Sequence, residues 1–281
     1  MNRSRSLPAP LILAALLGLA SADEPPEISP QQRAAHLQHM REVAASIRLL
    51  AKPTRDDSAV PLREEPLLRY TDNTRFNYES TLWIWAGGGR PTALAAVEYY
   101  PRHPEGPRWL FEVASLSTQP IAAQRDPDLH WTAKEPGLKL RPLDDARPIA
   151  EKATRRLSQM KEMCRRFTAH ESAVVEGRVE LRLLSSPLYR YADADAGVTD
   201  GAIFAFANGT NPEVLLVLEA HGGKDKDPWH YALVQMTGGA VSVELGGKEV
   251  WQREEADPPA VRPSYVNGWI SSASKELKNE Q

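Results

Sequence analysis

Four polar residues occur twice in this 281-residue chain at one fixed separation. Arg69, Tyr70, Asp72 and Glu98 reappear as Arg190, Tyr191, Asp193 and Glu219, each 121 positions later. A guanidinium and a carboxylate can form a bidentate fork. An Asp can fold back onto the backbone ahead of it as an Asx turn. The leading reading is structural: the Arg of each PLxRYxD segment pairs, inside its own unit, with the Glu of the long hairpin strand at less than about 3.2 Å. The functional reading places two equivalent Arg/Tyr/Asp/Glu clusters along a groove between the units.

Other reactive side chains form no catalytic pattern. The seven His include no H-E-x-x-H zinc spacing. His36 and His39 lie three apart and could share one metal, but Arg156 and Gln159 stand 120 residues on, so a solvated helix flank is the better reading. Ser158-Gln159-Met160-Lys161 fits S-x-x-K yet lies mid-helix with no K-T-G after it. The single Cys, Cys164, reads as a small buried thiol and cannot form an intrachain disulfide or a thiolate zinc site. No nucleophile elbow, Walker loop or dinucleotide fingerprint occurs, so no catalytic residue, cofactor or metal ligand is assigned.

These residues must be carried on repeated elements. Over positions 66–100 and 187–221, ten of 35 residues are identical, which predicts an internal duplication. Outside that stretch the match continues at an offset of 120, with Trp109/Trp229 and Trp131/Trp251. Each unit opens with a helix. Ser29-Pro30-Gln31-Gln32 supplies a cap, Pro at the first helical position, and Gln three residues after the cap. Its apolar stripe is Leu37, Met40, Ala44, Ile47 and Ala51. The second helix is expected from about Asp145, with Ile149, Ala153, Leu157, Met160, Cys164 and Phe167. Hairpins follow across Gly87-Gly88-Gly89 and across Asn208-Gly209, then a third strand in each unit and a last hairpin across Gly246-Gly247. The run Val214-Leu215-Leu216-Val217-Leu218 is apolar on both faces and calls for cover on both sides.

Composition sets the class. With 42% apolar residues the chain can bury a core, and 23 Pro imply many stiff connections. A formal charge of −3 argues against a nucleic-acid partner. Arg3 and Arg5, the apolar run Leu11–Ala20 and Ala20-Ser21-Ala22 make a secretory signal pattern, with cleavage expected after Ala22. The apolar run is too short to span a bilayer, so no transmembrane segment is expected after cleavage.

The segments PLYRYADADAGVTDGAIFAFANGTNPEVLLVLEA (187–220), WHYALVQMTGGAVSVELGGKEVW (229–251) and TLWIWAGGGRPTALAAVEYYP (81–101) resemble a group of uncharacterised, predicted exported bacterial proteins. The resemblance implies localisation and transfers no catalytic residue.

The expectation is an exported α+β protein. Its signal peptide is 1–22, and two tandem related units, 23–143 and 144–281, each carry one long helix plus an antiparallel meander or half-barrel about a pseudo-twofold. The leading function is a non-catalytic binding or interaction protein of the periplasm or envelope, with an unknown envelope ligand or protein as partner. The alternatives are an envelope hydrolase with a dispersed Asp/Glu/His site between the units, and a structural envelope protein without a small ligand.

Overall fold

Helix α1 (Pro30–Ser46) starts at the expected cap. Ser29 Oγ accepts from the Gln32 amide at 3.2 Å, and the Gln32 side chain accepts from the Ser29 amide at 2.9 Å. A computed structural model describes residues 28–51, 59–72, 75–173, 177–222, 229–255 and 257–271, so the expected signal segment lies outside the described residues. After α1 come β1 (Arg48–Leu50), β2 (Leu68–Asp72), β3 (Asn77–Trp85), β4 (Ala93–Tyr100), β5 (Arg108–Ser115), β6 (Ala122–Arg125), β7 (Leu129–Thr132) and β8 (Arg141–Pro142). Helix α2 (Ala153–Cys164) precedes β9 (Phe167–Ala173), β10 (Gly177–Asp193), β11 (Val198–Asn208), β12 (Asn211–His221) and β13 (Trp229–Gln235). The last strands are β14 (Ala240–Leu245), β15 (Lys248–Arg253), β16 (Ala260–Val261) and β17 (Tyr265–Trp269).

The expected α+β class is corrected. Among the described residues 52% are strand and 13% helix, in two helices and three sheets. Helical stripes in the sequence overreach at both helices. Ile47 is already extended, and Arg48–Leu50 pairs with Ala122–Gln124 instead of continuing the turn. Before α2, residues 145–152 are not helical. The Gln159 side chain holds them from the helix, donating to the Pro148 carbonyl at 2.8 Å and accepting from the Ala150 amide at 3.0 Å. Both PLxRYxD segments, read first as motifs, run into strands β2 and β10.

The sheets are antiparallel, in the orders β1-β6-β7, β15-β14-β9-β10-β11-β12-β13-β8 and β16-β17-β5-β4-β3-β2. Their register recurs. Leu49 faces Ala123 as Ala169 faces Val243. Tyr70, Ser80 and Glu98 align across three strands as Tyr191, Gly201 and Glu219 do. This is a recurrence of strand geometry, which by itself says nothing of descent. Three strands, β8, β16 and β17, lie in the sheet of the other half. β8 pairs with β13, and β17 pairs with β5 from Leu110 to Ala114.

Alternation along the central strands sends side chains into separate cores. Trp83, Trp85, Ala95 and Val97 pack under α1 against Met40 and Val43. Phe204, Phe206, Val214 and Leu216 pack under α2 against Met160 and Cys164. The opposite faces meet each other: Leu82, Ile84 and Leu94 of the six-stranded sheet pack with Ile203, Leu215 and Val217 of the eight-stranded one. The apolar run 214–218 therefore has cover on both faces, each large side chain contributing roughly 1.5–3 kcal/mol on full burial. No helix among the described residues is long and apolar enough to cross a membrane.

Candidate functional site

The expected Arg–Glu forks are corrected, because tyrosine takes the glutamate in both sheets. The Tyr70 hydroxyl donates to Glu98 at 2.7 Å and the Tyr191 hydroxyl donates to Glu219 at 2.6 Å. The reach spans two strands. A Cβ on Gly201 would sit 2.5 Å from the Tyr191 ring, so that ring lies directly over the glycine, whereas Tyr70 makes the corresponding reach past Ser80. The arginines turn to a different acid. Arg190 forks Asp200 at 2.8 and 2.5 Å, and Arg156 from α2 adds a third bond at 2.7 Å. Burial alone would raise Asp200, but the two guanidiniums hold it below the usual range. In the first sheet the same positions hold Arg69, Glu79 and His36. The His36 ring bonds Glu79, while Arg69 stands 3.8 Å from the other oxygen. His36 is thus buried on a carboxylate, not on the solvated flank expected of it.

The two aspartates behave as turn residues and also face the opposite sheet. Asp72 accepts from the Arg75 amide at 3.2 Å, and Asp193 from the Ala196 amide at 3.0 Å. Asp193 also accepts from the Arg90 amide at 2.9 Å, an approach open because Gly89 has no Cβ to strike that carboxylate. Arg90 then reaches across and forks Glu219 at 2.7 and 2.8 Å. Burial would raise Glu219, yet the hydrogen bonds from Arg90 and Tyr191 keep it below the usual carboxylate range. This fork joins the first sheet's hairpin turn to β12. A double-mutant cycle of Arg90→Met and Glu219→Gln, read by urea denaturation, is expected to give a coupling of about 1–3 kcal/mol. Additive losses would refute the link.

A second charged group has no counterpart in the recurring register. Arg75 bonds Glu171 and Glu213, the latter at 2.7 Å, and lies 3.7 Å from Asp72. At the recurring positions stand Ala196, Ala51 and Thr92. Glu98 and Glu112 lie near enough to feel the same guanidinium. Glu98 also accepts from the Tyr100 hydroxyl at 2.6 Å, and Glu112 from the Tyr265 hydroxyl at 2.6 Å. Burial pushes Glu98, Glu112 and Glu171 up, and Glu213 up to about 8. One guanidinium faces five buried acids, and burial favours the neutral form of Glu98, Glu112, Glu171 and Glu213.

Open space lies elsewhere. A groove of about 290 Å³ runs where β2 and β3 meet the first turn of α1 and the β11–β12 turn. Arg69, Tyr70, Glu79 and Arg33 line it, with Thr210 from the other sheet. Of the eight residues singled out from the sequence, the groove gathers only Arg69 and Tyr70; Asp72, Glu98, Arg190, Tyr191, Asp193 and Glu219 are structural partners outside its lining. Glu79 and Asp200, acids 121 apart, were not singled out from the sequence, because a Glu facing an Asp adds nothing to the run of identities that marks the motif. Among the described residues no group of three or more His, Cys, Asp or Glu is placed to hold a metal ion. No family model, curated protein or solved structure matches the chain.

Proposed function

We propose that the protein is a non-catalytic binding protein of the cell envelope, taking a small polar ligand in the groove between β2 and the β11–β12 turn. One observation carries this reading. Most charged side chains inside the fold are satisfied by partners of the protein itself, whereas the groove leaves Arg69 half exposed and loosely paired. Its volume is near the lower end of ligand pockets, which usually run from about 300 Å³ upward.

The hydrolase reading is favoured by one feature, the lopsided carboxylate cluster around Arg75. Yet Glu171 and Glu213 are buried and do not line the groove. Water and substrate would have to reach acids that already share a guanidinium.

The test is a thermal-shift screen of small anions, sugars and amino acids on the full chain and on Thr210→Trp, which fills the groove from its far wall. Stabilisation of the native protein that vanishes in the variant is the expected result. Turnover of ester, peptide or glycoside reporters by the native protein would overturn the non-catalytic reading. Stabilisation that survives the variant would place the ligand elsewhere.

A further inference from the structure

We infer that the groove recognises an oxyanion, a carboxylate or phosphate group on a small molecule, through Arg33 and Arg69. The inference rests on the binding reading above and names its chemistry.

The recurring register supplies an internal comparison. In the eight-stranded sheet the corresponding place is shut. Arg156 and Arg190 both close on Asp200, and Arg190 also donates to the Ala153 carbonyl at 2.6 Å. Arg156 Nη1 also donates to the Ala150 and Glu151 carbonyls at 3.2 and 2.6 Å. Both cations close on the acid there and spend further donors on backbone carbonyls.

In the six-stranded sheet two substitutions and one lengthened contact undo that closure. His36 replaces Arg156, so the helix contributes a short ring that covers one oxygen of Glu79. Arg33 replaces Ala153, so a cation stands where the other site offers a carbonyl. Arg69 keeps its place but stands at 3.8 Å from Glu79, beyond hydrogen-bond reach. Two guanidiniums thus face the cavity against one acid, and that acid is already engaged by His36.

Two of the other polar groups on the wall are already engaged. The Tyr70 hydroxyl is given to Glu98. Thr210 Oγ1 accepts from the Thr71 amide at 3.2 Å and donates to the Thr71 carbonyl at 2.9 Å. The cationic donors facing a guest are the two arginines, whose planar forks match carboxylate and phosphate oxygens. Rings of Tyr70 and Tyr78 line the groove beside them and suit an apolar body behind the anionic group.

The experiment is isothermal titration of the full chain with inorganic phosphate, acetate, glucose and tetramethylammonium chloride, at ionic strength held constant with sodium chloride. Phosphate or acetate is expected to bind saturably, with affinity falling at least tenfold in Arg33→Gln and in Arg69→Gln. Both arginines are surface-facing, so both variants are expected to melt within a few degrees of the native protein. Oxyanion binding unchanged in both variants overturns the inference. So does saturable binding of glucose alone or tetramethylammonium alone, but if that binding is lost in Thr210→Trp the groove itself stands. Saturable binding of no probe overturns the oxyanion inference, and the wider screen then decides the groove.

Discussion

Replacing Arg75 by methionine is expected to destabilise the protein by about 3 kcal/mol at pH 7, the lower end of the cost of breaking a buried ion pair by removing one partner. The lower end applies because the Arg75 side chain is 30% exposed and water can partly replace it. Its partners have no such relief. Glu171 and Glu213 have side chains 2% and 0% exposed, and Asp72 is equally enclosed. Burial works against the Arg75 charge, but the three acids outweigh it and hold the guanidinium ionised. Without it the acids would keep their burial and lose the positive charge that offsets it. Urea denaturation reads the effect. Adding Glu171→Gln and Glu213→Gln to Arg75→Met should recover most of the loss, because neutral amides need no counter-charge. A loss below about 1 kcal/mol in the single variant would mean that Arg75 is an ordinary surface pair.

The second large effect is with pH. Glu98, Glu112, Glu171 and Glu213 are all pushed above the ordinary carboxylate value by burial, Glu213 to about 8. A carboxyl raised in the folded state contributes stability that is complete below its unfolded value near 4.5 and is lost as pH climbs through the folded value. Glu213 therefore weakens the fold steadily from about pH 4.5 to about 8, with a limiting slope near 1.4 kcal/mol per pH unit. Asp193, Asp200 and Glu219 act in the opposite sense. Each is held low, by the Arg90 amide, by the arginine pair, and by Arg90 with Tyr191, and each withdraws its contribution in acid. The two trends place maximum stability on the mildly acidic side of neutrality. Glu213→Gln should flatten the limb between pH 5 and 8 and leave the acid limb untouched. An unaltered slope in that variant would rule out Glu213 as the titrating group.

Signals carried by neighbouring residues were legible in the sequence. The Ser29–Gln32 capping box, the glycine hairpins at 87–89 and 208–209, and the last hairpin across Gly246-Gly247 all form where local rules put them. Both-face burial of the central strands follows from their unbroken apolar runs. Helical periodicity misled where an apolar stripe ran on past a helix end, since Ile47 and Phe167 fit a 3.6 spacing but belong to extended chain. Pairing was the illegible part. Arg69 and Arg190 gave no local sign of choosing Glu79 and Asp200 ten residues away over the repeated glutamates. Tyr191 reaches Glu219 across Gly201, as Tyr70 reaches Glu98 across Ser80, a relation that exists once the register is set. Arg75 and Arg90 find acids 96 to 138 residues distant, and nothing near either one in sequence marks them.

Strand β17 has a consequence for how the chain comes to be folded. It is the last described strand to leave the ribosome, yet it completes the sheet that contains β2 to β5. Through most of synthesis β5 therefore presents an open edge with unpaired amides and carbonyls, the kind of edge that invites wrong partners. Tyr265, which caps Glu112 from β17, arrives equally late, so the acid must wait for its hydroxyl. The N-terminal half is made first but finished last, and the order of emergence from the ribosome cannot be its order of consolidation.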